Sequence, residues 1–455
     1  MTRLSCFKSY DVRGRLGVDL DDALMYRIGR AYAQVTRAQT VVTGRDVRPT
    51  SPSLQAALVE GLRDEGTNVL DLGLCGTEEV YFGTAHTGAG GGLMVTASHN
   101  PIDYNGLKIV REGARPIAWE SGLKEIHDLV VADSFGAPGG KGTWAGLDLR
   151  PSYAGHVASY LDPEGLRPLR ILVNAGHGAA GPTFDAIAAQ LAERGVPFDF
   201  VRFDHEPDPT FPQGIPNPLL PENRARSEQA VREAGADMGV VWDGDFDRCF
   251  LFDEKGGFID GEYVVALLAK AFLAKEPGAP IVHEPRVVWA TQAMIAEAGG
   301  RSIICRTGHA HLKAALREHD APYGGEMSAH HYFRDFAYCD SGMIPWLLVA
   351  GLLARQDKPL SALVDDLRTR FPSSGEINFA IDDPAAAIAR FEAAYGPTAV
   401  SADRLDGLSL DMGDWRANVR MSNTESLLRL NIETRGDRTL LDRKVLEISA
   451  LLSGQ

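Results

Sequence analysis

The sequence predicts a multidomain α/β protein on three observations. Short apolar runs of strand length alternate with segments whose apolar residues recur at helical spacing, and that unit recurs three times along the chain. At 455 residues the chain also exceeds what one compact core accommodates, so two to four domains are expected. Strands alternating with helices imply parallel or mixed sheets covered on both faces, with ligands at the loops that follow the carboxyl ends of strands.

In the first pass Val41-Val42 predicts a short strand and Ser53 to Glu65 a helix. Asn68 to Leu72 and Gly92 to Val95 predict further strands. The second pass predicts strands at Arg170–Val173, Phe198–Phe203 and Met238–Trp242, with helices at Ala180–Arg194 and Arg224–Ala234 between them. The third runs from a helix at Gly261–Lys275 through a strand at Ile281–His283 and a helix at Thr291–Ala298 to a strand at Ser302–Cys305. In a shorter tail Ile377–Ile381 and Leu427–Ile432 predict strands and Thr439–Leu452 a helix. Composition places breaks at the glycine-rich residues 134–146, near Asp253 to Gly257, and at Phe371-Pro372-Ser373-Ser374-Gly375. The domains expected are therefore residues 1–146, 147–252, 253–370 and 371–455.

The formal net charge of −15 argues against nucleic acid as a partner. No apolar run reaches the roughly 20 residues needed to span a bilayer, and residues 1–30 carry no signal-peptide pattern. A membrane partner is accordingly not expected. Five scattered cysteines without a CxxC pair read as reduced thiols, and a cytoplasmic location is expected. Oligomeric state is not readable from the sequence.

Four segments carry chemistry. Thr96-Ala97-Ser98-His99-Asn100-Pro101 follows the strand ending at Val95, where a serine can project its hydroxyl into a cleft. A helix cap or plain turn would use the same residue types. Trp242-Asp243-Gly244-Asp245-Phe246-Asp247-Arg248 follows a buried strand, and its three alternate aspartates can converge on one hard cation such as Mg²⁺. Gly244 is expected to relax the backbone there. Without a cation between them the three charges repel strongly. Gly324-Gly325-Glu326-Met327-Ser328-Ala329-His330-His331 offers glycines for close ligand approach, with Glu326 as acceptor and Ser328 as hydroxyl. Adjacent histidines on a strand point to opposite faces, which argues against a shared zinc. Arg420-Met421-Ser422-Asn423-Thr424-Glu425 offers a guanidinium fork, hydroxyls and loop amides to a phosphate, and would supply the positive pocket an acidic chain otherwise lacks. Tyr10-Asp11-Val12-Arg13-Gly14 is expected to hold an arginine in a tight turn, and Lys108 lies within ten residues of Ser98.

Taken together and in this order, the four segments resemble the α-D-phosphohexomutase superfamily, most closely its bacterial phosphomannomutases and phosphomannomutase/phosphoglucomutases. The resemblance runs from about Phe7 to the C-terminal helix. It implies four domains around a central cleft, the first three with related mixed α/β sheets and the fourth a smaller, distinct α+β domain. They would serve in turn as phosphoserine-loop, metal-binding, sugar-recognition and phosphate-binding domains.

It further implies that Ser98 is the phosphorylated serine and that Asp243, Asp245 and Asp247, together with the Ser98 phosphate, hold Mg²⁺. Glu326 and Ser328 would hold sugar hydroxyls, and Arg420, Ser422, Asn423 and Thr424 the unreacting phosphate. Arg13, Lys108, Arg248, Arg286 and His309 match cleft positions, Lys108 and His309 being the better acid/base candidates because arginine hardly ever gives up its proton.

The implied reaction is phosphomannomutase, through a hexose 1,6-bisphosphate that serves as intermediate and activator, with glucose phosphates as further substrates. Met327 resembles the residue in mutases acting on mannose and glucose phosphates. Phosphoglucomutase and phosphoglucosamine mutase are the alternatives within the superfamily. Outside it stand a phosphotransferase with an aspartate nucleophile and a non-catalytic sugar-phosphate-binding protein. The chain departs from the family pattern at His177, Glu284 and Ser426.

Overall fold

Every residue of the strands Gly91–Val95 and Met238–Trp242 is buried, and each of the two candidate loops nearest the amino terminus springs from the end of one of them. A strand covered on both faces needs continuous apolar sequence, and Gly-Gly-Leu-Met-Val and Met-Gly-Val-Val-Trp supply it. The computed structural model describes residues 4–137, 140–421 and 427–454. The chain divides into two compact units, Met1–Phe258 with Asp335–Asp357, and Ile259–Arg334 with Lys358–Gln455.

The first unit holds two sheets. One runs in the order Asp11–Arg15, Tyr104–Arg111, Gly91–Val95, Thr40–Arg45, Asn68–Leu74, Trp144–Gly146, with the short strand Arg115–Pro116 beside Tyr104–Arg111. Its first two pairings are antiparallel and the other three parallel. The helix Asp22–Thr36 starts where the Asp21 carboxylate accepts the Leu24 amide, an N-cap that satisfies one of the amides a helix start leaves open. Its Leu24, Met25, Ile28 and Tyr32 join Leu54, Leu58 and Leu62 of the helix Ser51–Asp64 in one core over the sheet.

The second sheet orders Cys249–Asp253, Met238–Trp242, Leu169–Asn174 and Phe198–Phe203, antiparallel at the first pairing and parallel at the others. The helix Met343–Ala354 packs against it. Trp346 lies 5.7 Å from Phe184 between ring centroids, and the Trp242 indole N–H donates to the Gly342 carbonyl at 2.9 Å.

The second unit also holds two sheets. Arg301–Ile304, Pro280–His283, Tyr323–Gly325 and His331–Phe333 lie in that order, with the last pairing antiparallel. The other sheet is antiparallel throughout, Ser373–Phe379, Leu428–Thr434, Trp415–Met421, Leu408–Asp411, Ser401–Asp403. The helices Pro384–Tyr395 and Arg438–Ser453 supply Phe391, Leu441 and Ile448 to its core. The α/β prediction with a distinct fourth sheet therefore holds.

One local expectation is corrected, and two expected breaks contain strand residues. Asp11–Arg15 is a strand, not a tight turn, because pairing with Tyr104–Arg111 sequesters Val12 where the sequence alone shows mostly charge and glycine. The glycine-rich stretch 134–146 ends in the strand Trp144–Gly146, and the expected break at Phe371–Gly375 already contains the start of Ser373–Phe379. Among the described residues no helix is long and apolar enough to cross a membrane, and none of the five cysteines forms a disulfide.

One buried acid makes this unit's stability pH-dependent. Glu262, 2% exposed in the first turn of Gly261–Lys275, has its pKa pushed up to about 8 by burial and then by the neighbouring Asp260. The folded chain thus keeps a proton there that the unfolded chain loses above its ordinary value of 4.5, so stability falls as pH rises from about 4.5 to 8. Glu262→Gln keeps the shape without the charge. It should raise stability at pH 7 by on the order of 1–3 kcal/mol, with a gain in melting temperature that widens between pH 5 and 8. A gain independent of pH would show that the carboxyl titrates at its ordinary value in the folded state and that burial does not shift it.

Candidate active site

Ser98 is 3% exposed and stands three residues beyond the strand Gly91–Val95, at a φ of +48°. A non-glycine residue seldom adopts that left-handed conformation, and it persists where surrounding contacts enforce it. Here the Ser98 amide donates to Thr96 Oγ1 at 2.8 Å, and Arg13 Nη1 donates to the Ala97 carbonyl at 2.7 Å and to Asn100 Oδ1 at 2.6 Å. The Ser98 hydroxyl donates to Asp243 Oδ2 at 2.7 Å and lies 3.0 Å from His99 Nδ1. Burial, then the cations Arg248 and Arg13, hold the His99 pKa well below the usual imidazole range.

The aspartates Asp243, Asp245 and Asp247 are all buried, in the loop after Met238–Trp242. One oxygen from each lies within 4.8 Å of the other two. Gly244 serves as space more than as a backbone hinge, since a Cβ there would lie 2.8 Å from the Ser98 carbonyl oxygen. The two loops can touch only because this position has no side chain.

Lys108, projecting from Tyr104–Arg111, donates to Asp245 Oδ2 at 2.7 Å and also to Asp247. Burial works against its charge, but Asp245 and Asp247 outweigh that and hold its pKa above the ordinary value. Asp245 also accepts from Thr77 Oγ1 at 2.6 Å. Burial would raise its pKa, yet Lys108 brings it below the usual carboxylate range. Asp243 accepts from the Ser98 hydroxyl instead. Burial and then the repulsion of Asp247 and Asp245 push it up to about 7, with Arg248 Nε 3.6 Å away.

The residues fit a metal ion. The donor set is all carboxylate, the kind hard divalent cations take, and one buried oxygen on each of Asp243 and Asp245 has no hydrogen-bond partner.

In the second unit the remaining candidates gather around Arg286. This side chain is 3% exposed and donates to Glu284, to Glu376 Oε2 at 3.0 Å and to Ser328 Oγ at 3.3 Å, with Glu326 at 4.0 Å. Glu326 accepts from Tyr332 Oη at 2.6 Å and from the Gly308 amide at 3.0 Å. Burial opposes its charge, but His330 and Arg286 more than offset this and keep it ionised. His309 opens the helix His309–His319 directly after Gly308.

Arg420 projects from Trp415–Met421, and its Nη2 lies 3.4 Å from the same Glu376 oxygen that Arg286 engages. Arg429 reaches the other Glu376 oxygen at 3.1 Å, so three guanidinium groups converge on one carboxylate. Such a focus of fixed donors suits an oxyanion. The glycines expected to admit a ligand do another job. A Cβ on Gly324 would lie 2.7 Å from Leu316 and one on Gly325 2.6 Å from Val265. Ser422, Asn423 and Thr424 lie outside the described residues.

Comparison with known proteins decides the family. Models of phosphoglucomutase/phosphomannomutase match the chain four times in order: alpha/beta/alpha domain I over residues 5–136, domain II over 151–257, domain III over 260–371, and the C-terminal domain over 376–450. The chain belongs to the phosphoglucomutase/phosphomannomutase family. It is 54% identical over 455 residues to a phosphomannomutase of Salmonella typhimurium, covering 100% of both chains, and 54% identical over 451 residues to the phosphohexose mutases of Xanthomonas campestris pv. campestris. A crystal structure of a phosphoglucomutase/phosphomannomutase family protein from Burkholderia thailandensis superposes with a TM-score of 0.89 at 30% identity, covering 100% of this chain and 98% of that one. The chain is thus a mutase, an intramolecular phosphotransferase.

Several residues of the candidate site escaped the sequence reading. Arg48 and Asp46 hold the serine loop from beneath, Thr77 fixes Asp245, and Glu376 and Arg429 complete the arginine cluster. For the first pair a signal existed. Asp46-Val47-Arg48 directly follows Thr40–Arg45, a parallel strand whose carboxyl end is where such folds place their sites. Thr77, at the start of the helix Thr77–Thr87, carried none.

Proposed function

We propose that this mutase interconverts mannose 1-phosphate and mannose 6-phosphate, with glucose phosphates as further substrates, through a phosphorylated Ser98 and a hexose 1,6-bisphosphate. The observation that carries the reading is the 2.7 Å hydrogen bond from the Ser98 hydroxyl to Asp243 inside a buried cluster of three aspartates. The mannose preference is supported by the names of relatives 54% identical over the full chain.

In the first half-reaction a sugar hydroxyl oxygen, O6 or O1, attacks the phosphorus on Ser98. The new P–O bond forms as the bond to Ser98 Oγ breaks, the sugar hydroxyl loses its proton, and Ser98 Oγ regains one. Lys108 Nζ, held protonated between Asp245 and Asp247, stabilises the charge that builds on the transferring group. His309 is the residue proposed to take the sugar hydroxyl's proton.

Arg13 and Arg248 flank the serine loop as cationic supports. Asp243, Asp245 and Asp247, with the Ser98 phosphate, would hold Mg²⁺, which when bound offsets phosphoryl charge as a Lewis acid. Glu326 and Ser328 would grip sugar hydroxyls. Arg286, Arg420, Ser422, Asn423 and Thr424 would hold the phosphate that is not reacting. The second half-reaction returns the other phosphate to Ser98.

The domains proposed are residues 1–146 for the phosphoserine loop, 147–252 for metal, 253–370 for sugar recognition and 371–455 for phosphate, and the enzyme is placed in the cytoplasm. The test is to incubate the protein with ³²P-labelled mannose 1-phosphate, a trace of bisphosphate and Mg²⁺, and to map the label. Label on Ser98 with product formed fits the reading. Product without labelled Ser98, or label on Asp243 to Asp247, defeats it, and faster turnover on glucosamine 1-phosphate would reassign the sugar.

Arg420→Ala should raise the Michaelis constant about 30-fold, for a lost charge-assisted contact of about 2 kcal/mol, while Arg286 and Arg429 retain the rest. Bisphosphate should also leak during turnover, raising the requirement for added bisphosphate. An unchanged Michaelis constant and unchanged leakage would remove Arg420 from the phosphate grip.

A further inference from the structure

One guanidinium underlies the whole serine loop. Arg48 Nη2 donates to the carbonyl of Ser98 at 2.9 Å and to that of Asn100, while Nη1 donates to the carbonyls of Pro101 at 2.8 Å and Tyr104 at 3.0 Å. The Arg48 side chain has no solvent exposure, so it is a buried charge that four peptide oxygens and one carboxylate must satisfy. That carboxylate is Asp46, 3.5 Å from Arg48 Nε. Asp46 is itself locked by the Arg48 amide at 3.0 Å, Ser51 Oγ at 2.6 Å, Thr96 Oγ1 at 2.8 Å and the Ala97 amide at 3.3 Å. Thr96 then passes the constraint on, because its Oγ1 accepts the Ser98 amide.

Ser98 is thus clamped from both sides of its peptide plane, amide and carbonyl, at a φ of +48° that a serine would not hold unaided. The planar fork is what makes this possible. Only arginine offers five donors in one rigid plane, whereas a lysine ammonium is a single point.

We propose that Arg48, anchored by Asp46, is a positioning residue for phosphoryl transfer, fixing where Ser98 Oγ stands relative to the aspartate cluster by holding the carbonyls of the serine's own loop. This rests on the reading of Ser98 as the phosphoryl carrier. The hydrogen bonds of the Arg48 guanidinium described above all go to main-chain carbonyls of the serine loop and its continuation, so its loss should alter kcat and leave substrate affinity alone.

The experiment uses the full-length enzyme with Arg48→Ala, Arg48→Lys and Thr96→Val, each checked for folding by circular dichroism. Steady-state kinetics are measured with and without added guanidinium chloride at non-denaturing concentration, and transfer of ³²P from Ser98 to sugar is compared with its loss to water. Misplacing a reacting group by about 1 Å costs on the order of 100-fold. Both Arg48 variants should therefore lose about that factor in kcat per folded molecule, with the Michaelis constant within about threefold. Guanidinium should restore Arg48→Ala but not Arg48→Lys, and the share of label lost to water should rise.

Thr96→Val, nearly isosteric, should lose about tenfold in kcat by the same route, and it decides the matter if the Arg48 variants do not fold. Unchanged kcat per folded molecule, or a loss that lies in the Michaelis constant, overturns the proposal. If Ser98 of the wild type takes up no label, the carrier reading itself falls, an outcome distinct from labelled variants that turn over normally.

Discussion

Ser98→Ala should reduce steady turnover at least about 1,000-fold, because a missing phosphoryl carrier leaves no low-barrier route and each tenfold corresponds to about 1.4 kcal/mol of barrier. The fold should tolerate the change, although alanine at a φ of +48° keeps the same backbone strain. The hydrogen bond to Asp243 is lost, so that carboxylate, already raised to about 7 by burial and its neighbours, loses a donor. Binding should survive, since no proposed sugar or distal-phosphate contact involves Ser98. Equilibrium binding of mannose 6-phosphate near the wild-type affinity with turnover gone is the expected pair of results. A variant keeping more than about a tenth of the wild-type rate would end the carrier role.

Asp245→Asn should slow phosphoryl transfer about 1,000-fold at fixed Mg²⁺ and move the Mg²⁺ dependence to higher concentration, as one of three converging carboxylates is neutralised. Chelation of the wild type should abolish activity and readdition restore it. Stability is where the structure revises the sequence. Three like charges alone would make the neutral variant more stable without metal, but Lys108 bridges Asp245 and Asp247, and Thr77 donates to Asp245. Relief of repulsion is then opposed by loss of a buried ion pair and a hydrogen bond, and the melting temperature without metal should hardly move. Wild-type rate and wild-type Mg²⁺ dependence together would make the cluster purely structural.

The candidate loops are legible because their chemistry is written in contiguous residues. Thr96 to Pro101 follows the strand Gly91–Val95, Asp243 to Arg248 follows Met238–Trp242, and Glu326 to Ser328 follows Tyr323–Gly325. What was not legible joins distant segments. Nothing near Lys108 announces that its ammonium sits between aspartates more than 130 residues away, and nothing near Thr77 announces Asp245. The strand Asp11–Arg15 was hidden for the same reason. Its charged, glycine-containing sequence has little strand character until Tyr104–Arg111 pairs with it. The glycines Gly324 and Gly325 looked like ligand approaches because a missing side chain reads alike whether ligand or core fills the space.

The division of the chain also has a consequence for its synthesis. Residues Asp335–Asp357 belong to the same unit as Met1–Phe258, and within them Met343–Ala354 is buried at every position but Leu352. As the chain leaves a ribosome at ~5–20 residues per second, the stretch between Phe258 and Asp357 emerges over roughly 5–20 seconds. Throughout that interval Phe184, Phe200 and Trp242 lack the Trp346 helix that covers them, and the Trp242 indole lacks the Gly342 carbonyl. The nascent unit therefore presents an aromatic cleft to solvent while its sheet is otherwise fully encoded. That is the kind of surface holding chaperones bind, and a chain halted anywhere before Met343 is committed to keeping it open.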